Sequence, residues 1–318
     1  MKDLTVAICM YNAEKYIEET LRAVFAQTEK DFHLLIIDDC STDHSVLVAK
    51  KVLDGEGREY ILDCLPENQG IAHARQYALE HATTKYLVFV DSDDLPWPEL
   101  VEKEYAAITS DDDLIGVTSW SRYMDANSKL IKGGLLFGEK TKEEFISKAA
   151  KGKRIFLPIQ TMFDRQEALR VGGFTLTGFP EGKPRYRDYC EDLDLWTRMS
   201  DLYAEGKAIV GLQEYLYSYR KIDGLSSNHF NMIIKMDYVK HNVKRRRAGL
   251  QNITFVDYMN SLDETYLTKL RCDSAAADDL RNGVFYMRKG KFLKGIKLIC
   301  QSIMNRPLYI VDKLKHNF

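Results

Sequence analysis

The sequence YLVFVDSDD at residues 86–94 joins an apolar run to four polar residues, three of which are aspartates. A short apolar run of this kind is typical of a strand that is buried on both faces of a sheet. Similar runs occur earlier in the chain, and segments with helical spacing separate them. Repeated strand–helix units predict an α/β fold with a mostly parallel sheet, flanked by helices on both faces. Ligands bind such sheets beyond the carboxyl ends of the strands.

Two carboxylates one residue apart, Asp91 and Asp93, follow this strand. Mg²⁺ and Mn²⁺ prefer oxygen ligands and commonly bridge protein carboxylates to substrate phosphates. A divalent cation site is therefore one interpretation. The other is a polar turn that leads into Pro96 and Pro98. A motif this short does not decide between them.

Polar residues also follow the earlier strand of residues 34–37. Asp38 and Asp39 repel each other unless a positive or hydrogen-bonding group lies nearby. A carboxylate at this point could accept a hydrogen bond from a nucleobase imide or a ribose hydroxyl. Arg75, in the first turns of a predicted helix at the same edge, could contact a base carbonyl or a phosphate. The alternative for Arg75 is a surface ion pair.

Glu191 and Asp192 open a predicted helix further along the chain. Acidic residues are common at this position because they interact favourably with the helix dipole. A carboxylate at a helix start that faces a substrate cleft is also a suitable general base. The residues alone leave both interpretations open.

Composition limits the classes of protein that this chain can belong to. Its 318 residues are 45% apolar and 29% charged, which is ordinary for a globular protein. The net charge of −2 argues against a general nucleic-acid partner. No apolar run approaches the roughly 20 residues of a membrane span, and no signal peptide is expected from the N-terminal sequence. Six cysteines without a CxxC pair favour a reducing compartment, so we expect a cytoplasmic protein.

Charge is distributed unevenly and suggests two domains. Residues 1–228 carry a net charge of −11, whereas residues 229–318 carry +9 and show a mostly helical pattern. Residues 289–303 form an amphipathic segment in which Phe292, Ile296, Ile299 and Ile303 share one face. This segment could lie on the inner face of an anionic membrane, or it could pack on neighbouring helices.

Together and in this order, the segments resemble the family 2 glycosyltransferases, which have the GT-A fold. The resemblance extends over roughly residues 4 to 227, and joint occurrence of its motifs by chance is small. The motifs are VAICMYNAE at 6–14, DDCSTD at 38–43, NQGIAHAR at 68–75, DSDDLPWPE at 91–99, GGF at 172–174, ED at 191–192, YR at 219–220 and SS at 226–227.

The resemblance implies roles for individual residues. Asp192 would be the base that deprotonates an acceptor hydroxyl, with Glu191 beside it. Asp93, with help from Asp91, would hold Mn²⁺ or Mg²⁺ on the donor diphosphate. Asp39 and Asp38 would lie against the base of the nucleotide sugar. The implied nucleotide-sugar site consists of Tyr11, Ala13, Glu14, Asp38, Asp39, Arg75, Asp91 and Ser92.

The resemblance implies an inverting transfer of one sugar from a nucleotide-sugar donor, with uridine the favoured base. The acceptor would be a hydroxyl of a sugar, a glycolipid or another molecule in polysaccharide or glycoconjugate biosynthesis. The sequence QxxRW, which marks processive members, is absent, and this favours transfer of a single sugar. The chain departs from the family at Ile222, where the closing motif has a histidine.

Two other functions compete with this interpretation. Phosphohydrolases of the HAD type also place DxD after a buried strand, but they carry Thr or Val where this chain has Leu95. A nucleotide-sugar-binding protein without catalysis is the second alternative, and the presence of Asp192 argues against it.

Overall fold

The computed structural model describes residues 2–222, 228–288 and 290–307. Ser226, Ser227 and Lys289, which the sequence motifs include, lie outside the described residues. The predicted division at residue 228 stays a prediction. The internal contacts of the chain divide it into two compact units. The first unit consists of the described residues within Met1–Thr177, Glu191–Ile222 and Val243–Leu250. The second unit consists of those within Gly178–Cys190, Asp223–Asn242 and Gln251–Phe318.

The helices and strands alternate through the first ninety residues, as the sequence predicts. Two short 3₁₀ helices, Tyr186–Asp188 and Ser200–Glu205, flank one of the later α-helices. The elements are β1 Leu4–Met10, α1 Ile17–Phe25, β2 His33–Asp38, α2 Ser45–Glu56, β3 Ile61–Cys64, α3 Ile71–His81, β4 Tyr86–Asp91, β5 Leu95–Pro96, α4 Leu100–Ile108, β6 Leu114–Met124, β7 Leu130–Leu135, α5 Lys142–Ala150, β8 Met162–Asp164, α6 Arg165–Arg170, α7 Glu191–Met199, β9 Ala208–Arg220, α8 His229–Arg247, α9 Phe255–Asn260, α10 Glu264–Arg288 and α11 Phe292–Asn305.

The sheet has the strand order β3-β2-β1-β4-β8-β6-β9-β5, and β7 pairs with β6. Strands β3, β2, β1 and β4 are parallel, which confirms the fold predicted from the sequence. The register pairs Met10 with Asp38 on one side of β1 and Cys9 with Asp91 on the other. Both aspartates therefore lie at the same edge of the sheet.

The central strands are buried on both faces, and alternate residues of each strand enter different cores. Along β1, Ala7 and Cys9 contribute to one hydrophobic cluster, whereas Val6 and Ile8 contribute to the other. Strands buried on both faces need continuous apolar sequence, because neither face meets water. This requirement explains why their sequences read as runs of Val, Ile and Leu.

Antiparallel strands extend the sheet beyond β4. The short strand β8 pairs antiparallel with both β4 and β6, and β7 forms an antiparallel pair with β6. Neither β7 nor β8 is predicted from the sequence, because β8 has three residues and β7 is largely exposed. A segment so short or so exposed lacks the apolar periodicity that identifies a strand.

Asn12 follows β1 and does not cap the first helix. Helix α1 begins five residues later, at Ile17, and Asn12 has a left-handed backbone with φ of 50°. Its side-chain oxygen accepts a hydrogen bond of 2.8 Å from the backbone N–H of Thr42. Asn12 therefore ties the end of β1 to the loop that follows β2.

The second unit is helical, with an aromatic core. Phe255 is fully buried, and its ring lies 5.3 Å from that of Tyr238 and 4.8 Å from that of Tyr186, measured between ring centroids. Among the described residues, no helix has both the length and the apolar character needed to cross a membrane.

Candidate active site

Arg75 joins two acidic segments that lie far apart in the sequence. Its guanidinium contacts Asp91 at 2.6 Å and also pairs with Glu191, 116 residues away. Only 6% of Arg75 is exposed. Burial alone would lower the pKa of Arg75, but Asp91 and Glu191 outweigh it and raise that pKa further. The arginine therefore stays charged and brings α3, β4 and α7 together at one edge of the sheet.

Asp192 lies in the electrostatic field of the same cluster. Burial raises the pKa of the Asp192 carboxyl, and Asp91 adds to the increase. The Arg75 guanidinium opposes it, as does the backbone N–H of Leu193, which donates to Asp192 at 2.7 Å. A carboxylate with a raised pKa is a stronger base, and a catalytic base works best when its pKa approaches the working pH.

The loop after β4 carries the pair of carboxylates that the sequence analysis singled out. Burial and the neighbouring charge of Asp91 raise the pKa of Asp93 to about 6. Within the described part of the chain, the Asp93 carboxylate has no hydrogen bond or ion pair with another side chain. The charges of Arg220 and Arg75 oppose this increase in pKa without reversing it. A carboxylate that is crowded by a like charge is suited to binding a cation.

These carboxylates fit a divalent metal of the kind that is shared with a substrate. Within residues 2–222, 228–288 and 290–307, no three or more His, Cys, Asp or Glu side chains are grouped as a metal site. A magnesium-type ion commonly uses only one or two protein carboxylates and completes its shell with substrate phosphates and water. Asp93 and Asp91 match that requirement, because Arg75 contacts Asp91 through its Oδ1 atom and Asp91 has a second carboxylate oxygen.

A second buried arginine, Arg220 at the end of β9, supports this loop. Its Nε donates to the backbone oxygen of Asp93 at 2.5 Å, and its backbone N–H donates to the Asp94 carboxylate at 2.7 Å. A further guanidinium nitrogen donates to Glu19 on α1 at 3.0 Å. Arg220 thus connects residues 91–94, which we call the aspartate loop, to helix α1 of the first unit. The sequence signal that points to it is the YR pair of the closing motif.

Asp38 and Asp39 have different surroundings although they are adjacent. The Asp39 carboxylate accepts hydrogen bonds from the turn that precedes α3: 2.8 Å from the Asn68 side chain, 2.9 Å from the Gln69 N–H and 2.8 Å from the Gly70 N–H. It therefore holds that turn. Asp38 accepts from the Ser41 N–H through one oxygen, while its buried Oδ1 has no hydrogen-bond partner among the described residues. Within the part of the chain that the structure describes, Asp38 therefore keeps one carboxylate oxygen that Asp39 does not have to spare.

Three of the predicted site residues lie just after β1. Tyr11 is 47% exposed, whereas the Ala13 side chain is buried in the core. The Glu14 carboxylate accepts from the backbone N–H of His44 at 2.9 Å. Ala13 and Glu14 therefore connect this loop with the start of α2, and Tyr11 presents the exposed surface.

The structure brings together Asp91, Arg75 and Glu191, with Asp192 in the same electrostatic environment. Sequence reasoning missed Tyr217, whose hydroxyl accepts from the Asp91 N–H at 3.2 Å. No local pattern identifies Tyr217, because it is a buried aromatic residue of an ordinary strand. The cluster offers carboxylate oxygens of the kind that bind divalent cations, together with a carboxylate of raised pKa in Asp192.

Comparison with known protein families gives one extensive match. The sequence model described as "Glycosyl transferase family 2" matches residues 5–170. The putative teichuronic acid biosynthesis glycosyltransferase TuaG of Bacillus subtilis (strain 168) is 27% identical over 254 residues, which is 78% of this chain and 91% of TuaG. The teichoic acid poly(glycerol phosphate) polymerase of Staphylococcus epidermidis is 42% identical over 99 residues. That match spans 30% of this chain and only 13% of the polymerase.

Solved structures show the same fold. The crystal structure of S. aureus TarS 1–349 aligns with a TM-score of 0.55 and 16% identity, over 96% of this chain and 92% of that one. The mannosyltransferase PcManGT of Pyrobaculum calidifontis, in complex with GDP-Man and Mn²⁺, aligns with a TM-score of 0.55 and 18% identity. This alignment spans 98% of this chain and 88% of PcManGT. The GT-A architecture expected from the sequence is therefore confirmed.

Proposed function

The chain belongs to glycosyl transferase family 2, and we propose that it transfers a single sugar from a nucleotide-sugar donor to an acceptor hydroxyl, with inversion at the anomeric carbon. The observation that carries this proposal is the convergence of Asp91, Arg75 and Glu191 at the carboxyl end of the parallel strands. Because Asp192 follows Glu191 directly, the convergence brings the proposed base to the aspartate loop.

Asp192 is the general base in this proposal. It takes the proton from the acceptor hydroxyl as the oxygen attacks the anomeric carbon. The bond between that carbon and the donor diphosphate breaks, and its electron pair leaves with the nucleoside diphosphate. The raised pKa of Asp192 supports this role, because a base with a very low pKa would accept the proton poorly.

Asp93, with Asp91, would hold a Mn²⁺ or Mg²⁺ ion that neutralises charge on the departing diphosphate. The raised pKa of Asp93, which burial and the neighbouring charge of Asp91 cause, supports this assignment. Arg75 keeps Asp91 oriented and adds a fixed positive charge at the same edge. Arg220 holds the backbone of Asp93 in place and so determines where its carboxylate lies.

For the base of the donor we propose uracil, bound against Asp38 and Asp39. The Oδ1 atom of Asp38 has no hydrogen-bond partner within the described residues and can accept a hydrogen bond from an imide N–H, a group that uracil has and adenine lacks. Solved TarS structures carry UDP and UDP-GlcNAc, which supports the same assignment. The GDP-Man of PcManGT makes guanine, which also has an N–H next to a carbonyl, the competing base.

We place the reaction in polysaccharide or glycoconjugate biosynthesis, with a sugar or glycolipid hydroxyl as acceptor. The names of TuaG and of the teichoic acid polymerase support this assignment. The family match argues against the HAD-type phosphohydrolase. A protein that binds donor without turnover stays the alternative that the experiment must exclude.

The test compares the wild type with Asp192→Asn. We expect the rate at which nucleoside diphosphate is released from the donor to fall about 10²–10⁴-fold in the variant. This rate includes transfer of the sugar to an acceptor and its slower transfer to water. Donor affinity, measured by calorimetry, should stay within about twofold, because the amide preserves the shape of the side chain. Phosphate release from phosphomonoesters by the wild type would instead revive the phosphohydrolase.

Asp164→Asn is the matched control. Asp164 pairs with Tyr86 at the opposite end of β4 and caps α6 through the backbone N–H groups of Gln166 and Glu167. Its replacement should leave both stability and turnover nearly unchanged, because Asn and Asp are comparable N-cap residues. Equal turnover of wild type and Asp192→Asn would remove Asp192 from catalysis. Donor binding without turnover by the wild type, across a panel of acceptors, would identify a binding protein.

A further inference from the structure

Helix α11 exposes large apolar side chains along one side. Leu293 is 89% exposed and Met304 is 80% exposed, values that are unusual for such residues. With about 100° of rotation per residue, the exposed apolar side chains cover an arc of about 120° on the helix. They are Phe292, Leu293, Ile296, Ile303 and Met304.

A different side of α11 packs against α10. A Cβ atom on Gly295 would lie 2.8 Å from the backbone oxygen of Gly283, so the two helices touch at their glycines. Ser302 is fully buried and donates to the backbone oxygen of Ala276 at 2.7 Å. Ile299, which the sequence analysis grouped with the apolar face, lies against Gly283. The exposed arc is therefore additional to the surface that the helix pair needs.

Exposed lysines border this apolar arc. Residues 280–307 contain seven lysines and arginines and no aspartate or glutamate. Lys291, Lys294 and Lys297 are all exposed, and the Lys294 ammonium lies 4.0 Å from the centroid of the Tyr286 ring. An apolar stripe bordered by lysines matches acyl chains and anionic headgroups at the same time.

We propose that α11 lies flat on the surface of an anionic lipid bilayer, with its exposed apolar arc at the boundary between headgroups and acyl chains. Charge selects this partner over a second copy of the chain, because a dimer through this face would bring two strongly basic segments together. The helix has 14 residues, fewer than the roughly 20 that a span requires. The inference goes beyond the proposed transfer reaction and does not depend on it.

The experiment measures partition of the full chain onto vesicles by flotation. We expect binding to vesicles of phosphatidylcholine with about 30% phosphatidylglycerol and much weaker binding to phosphatidylcholine alone. Binding to the anionic vesicles should decrease as salt rises from 0.1 to 0.5 M, because the Debye length shortens. Lys291→Ala and Lys297→Ala should each lower the partition coefficient about fivefold.

The apolar contribution is tested with Leu293→Ser, for which we expect about a tenfold loss of partition. Leu47→Ser is the matched control, since Leu47 is 65% exposed on α2 and carries no role in this proposal. It should bind vesicles like the wild type. Both variants change an exposed side chain, so far-ultraviolet circular dichroism should show an unchanged fold.

Three results would overturn the proposal. The first is no flotation of the wild type with anionic vesicles at low salt. The second is equal partition of Leu293→Ser and Leu47→Ser. The third is a concentration-dependent dimer, detected by light scattering, that Leu293→Ser disrupts, because it would assign the apolar arc to a second copy of the chain.

Discussion

Replacing Arg75 by methionine should destabilise the first unit strongly, even without any ligand. The substitution keeps a long apolar stem but leaves Asp91 and Glu191 without the cation that both contact. The side chains of Glu191 and Asp91 are 8% and 28% exposed, so water cannot replace the lost interaction fully. Removing one member of a buried ion pair costs about 3–5 kcal/mol. A domain of 150–250 residues loses about 2–4 °C per kcal/mol, which predicts a fall in Tm of about 6–20 °C.

The loss should depend on pH in a defined direction. Burial raises the pKa of the Asp192 carboxyl and the Arg75 guanidinium opposes that increase, so the loss of Arg75 should raise this pKa further. In the variant, folded molecules therefore bind more protons than unfolded ones near neutral pH, so stability rises as pH falls. The difference in free energy of unfolding between wild type and Arg75→Met should be largest near pH 8 and should shrink toward pH 5.

Arg170→Met is the matched control, because Arg170 also bridges two carboxylates, Glu167 at 2.6 Å and Glu205 at 2.9 Å. Arg170 is 45% exposed, and pairs of this kind contribute at most about 1 kcal/mol. Thermal unfolding, followed by circular dichroism at pH 8 and pH 5, measures both variants. Equal Tm values for the two variants, or a loss in Arg75→Met that does not change with pH, would refute the reasoning.

Three further outcomes follow from the same structure. Asp93→Ala should lower the affinity for UDP in the presence of Mn²⁺ at least about tenfold, because it removes a carboxylate that would bind the metal. In EDTA the variant and the wild type should bind UDP equally. An unchanged effect of Mn²⁺ on the affinity in calorimetry would contradict this prediction. Arg220→Met should lower the affinity for UDP about tenfold in the presence of the metal and leave it unchanged in EDTA, because Arg220 holds the backbone of Asp93. Arg220→Lys should give an intermediate loss. Equal losses with and without metal would instead indicate general unfolding. Burial raises the pKa of Glu104 well above its ordinary value, against the hydrogen bond from Ser119, so protonation stabilises the fold and stability falls as pH rises. Glu104→Gln should therefore gain at least about 1 kcal/mol over the wild type between pH 5 and pH 8 in urea titrations, while the exposed Glu102→Gln should show no such trend.

Much of the fold follows from local pattern. Buried parallel strands require continuous apolar sequence, and β1, β2 and β4 are recognisable for that reason. Because parallel strands share one carboxyl edge, the sequence also predicts that Asp38 and Asp91 lie at the same edge, and the register confirms it. The helix predicted around Arg75 is confirmed as α3, with Arg75 in its first turns.

The partners of the site residues depended on the tertiary structure. Nothing near Arg75 in the sequence predicts that Glu191 pairs with it. The sequence also does not predict that the Asp39 carboxylate accepts hydrogen bonds from the turn before α3, whereas one oxygen of Asp38 has no partner in the described part of the chain. The position of Arg220 beneath the aspartate loop is equally a product of long-range packing.

Helix α11 shows the same division. Its sequence shows that it is amphipathic, and that property left open whether its apolar face packs on another helix or remains exposed. The tertiary structure determines which side of the helix is buried. Close contact between Gly283 and Gly295 directs one side toward α10, and Leu293, on another side, is exposed to solvent. Local sequence encodes which residues avoid water, whereas the three-dimensional packing determines which surface is available to cover them.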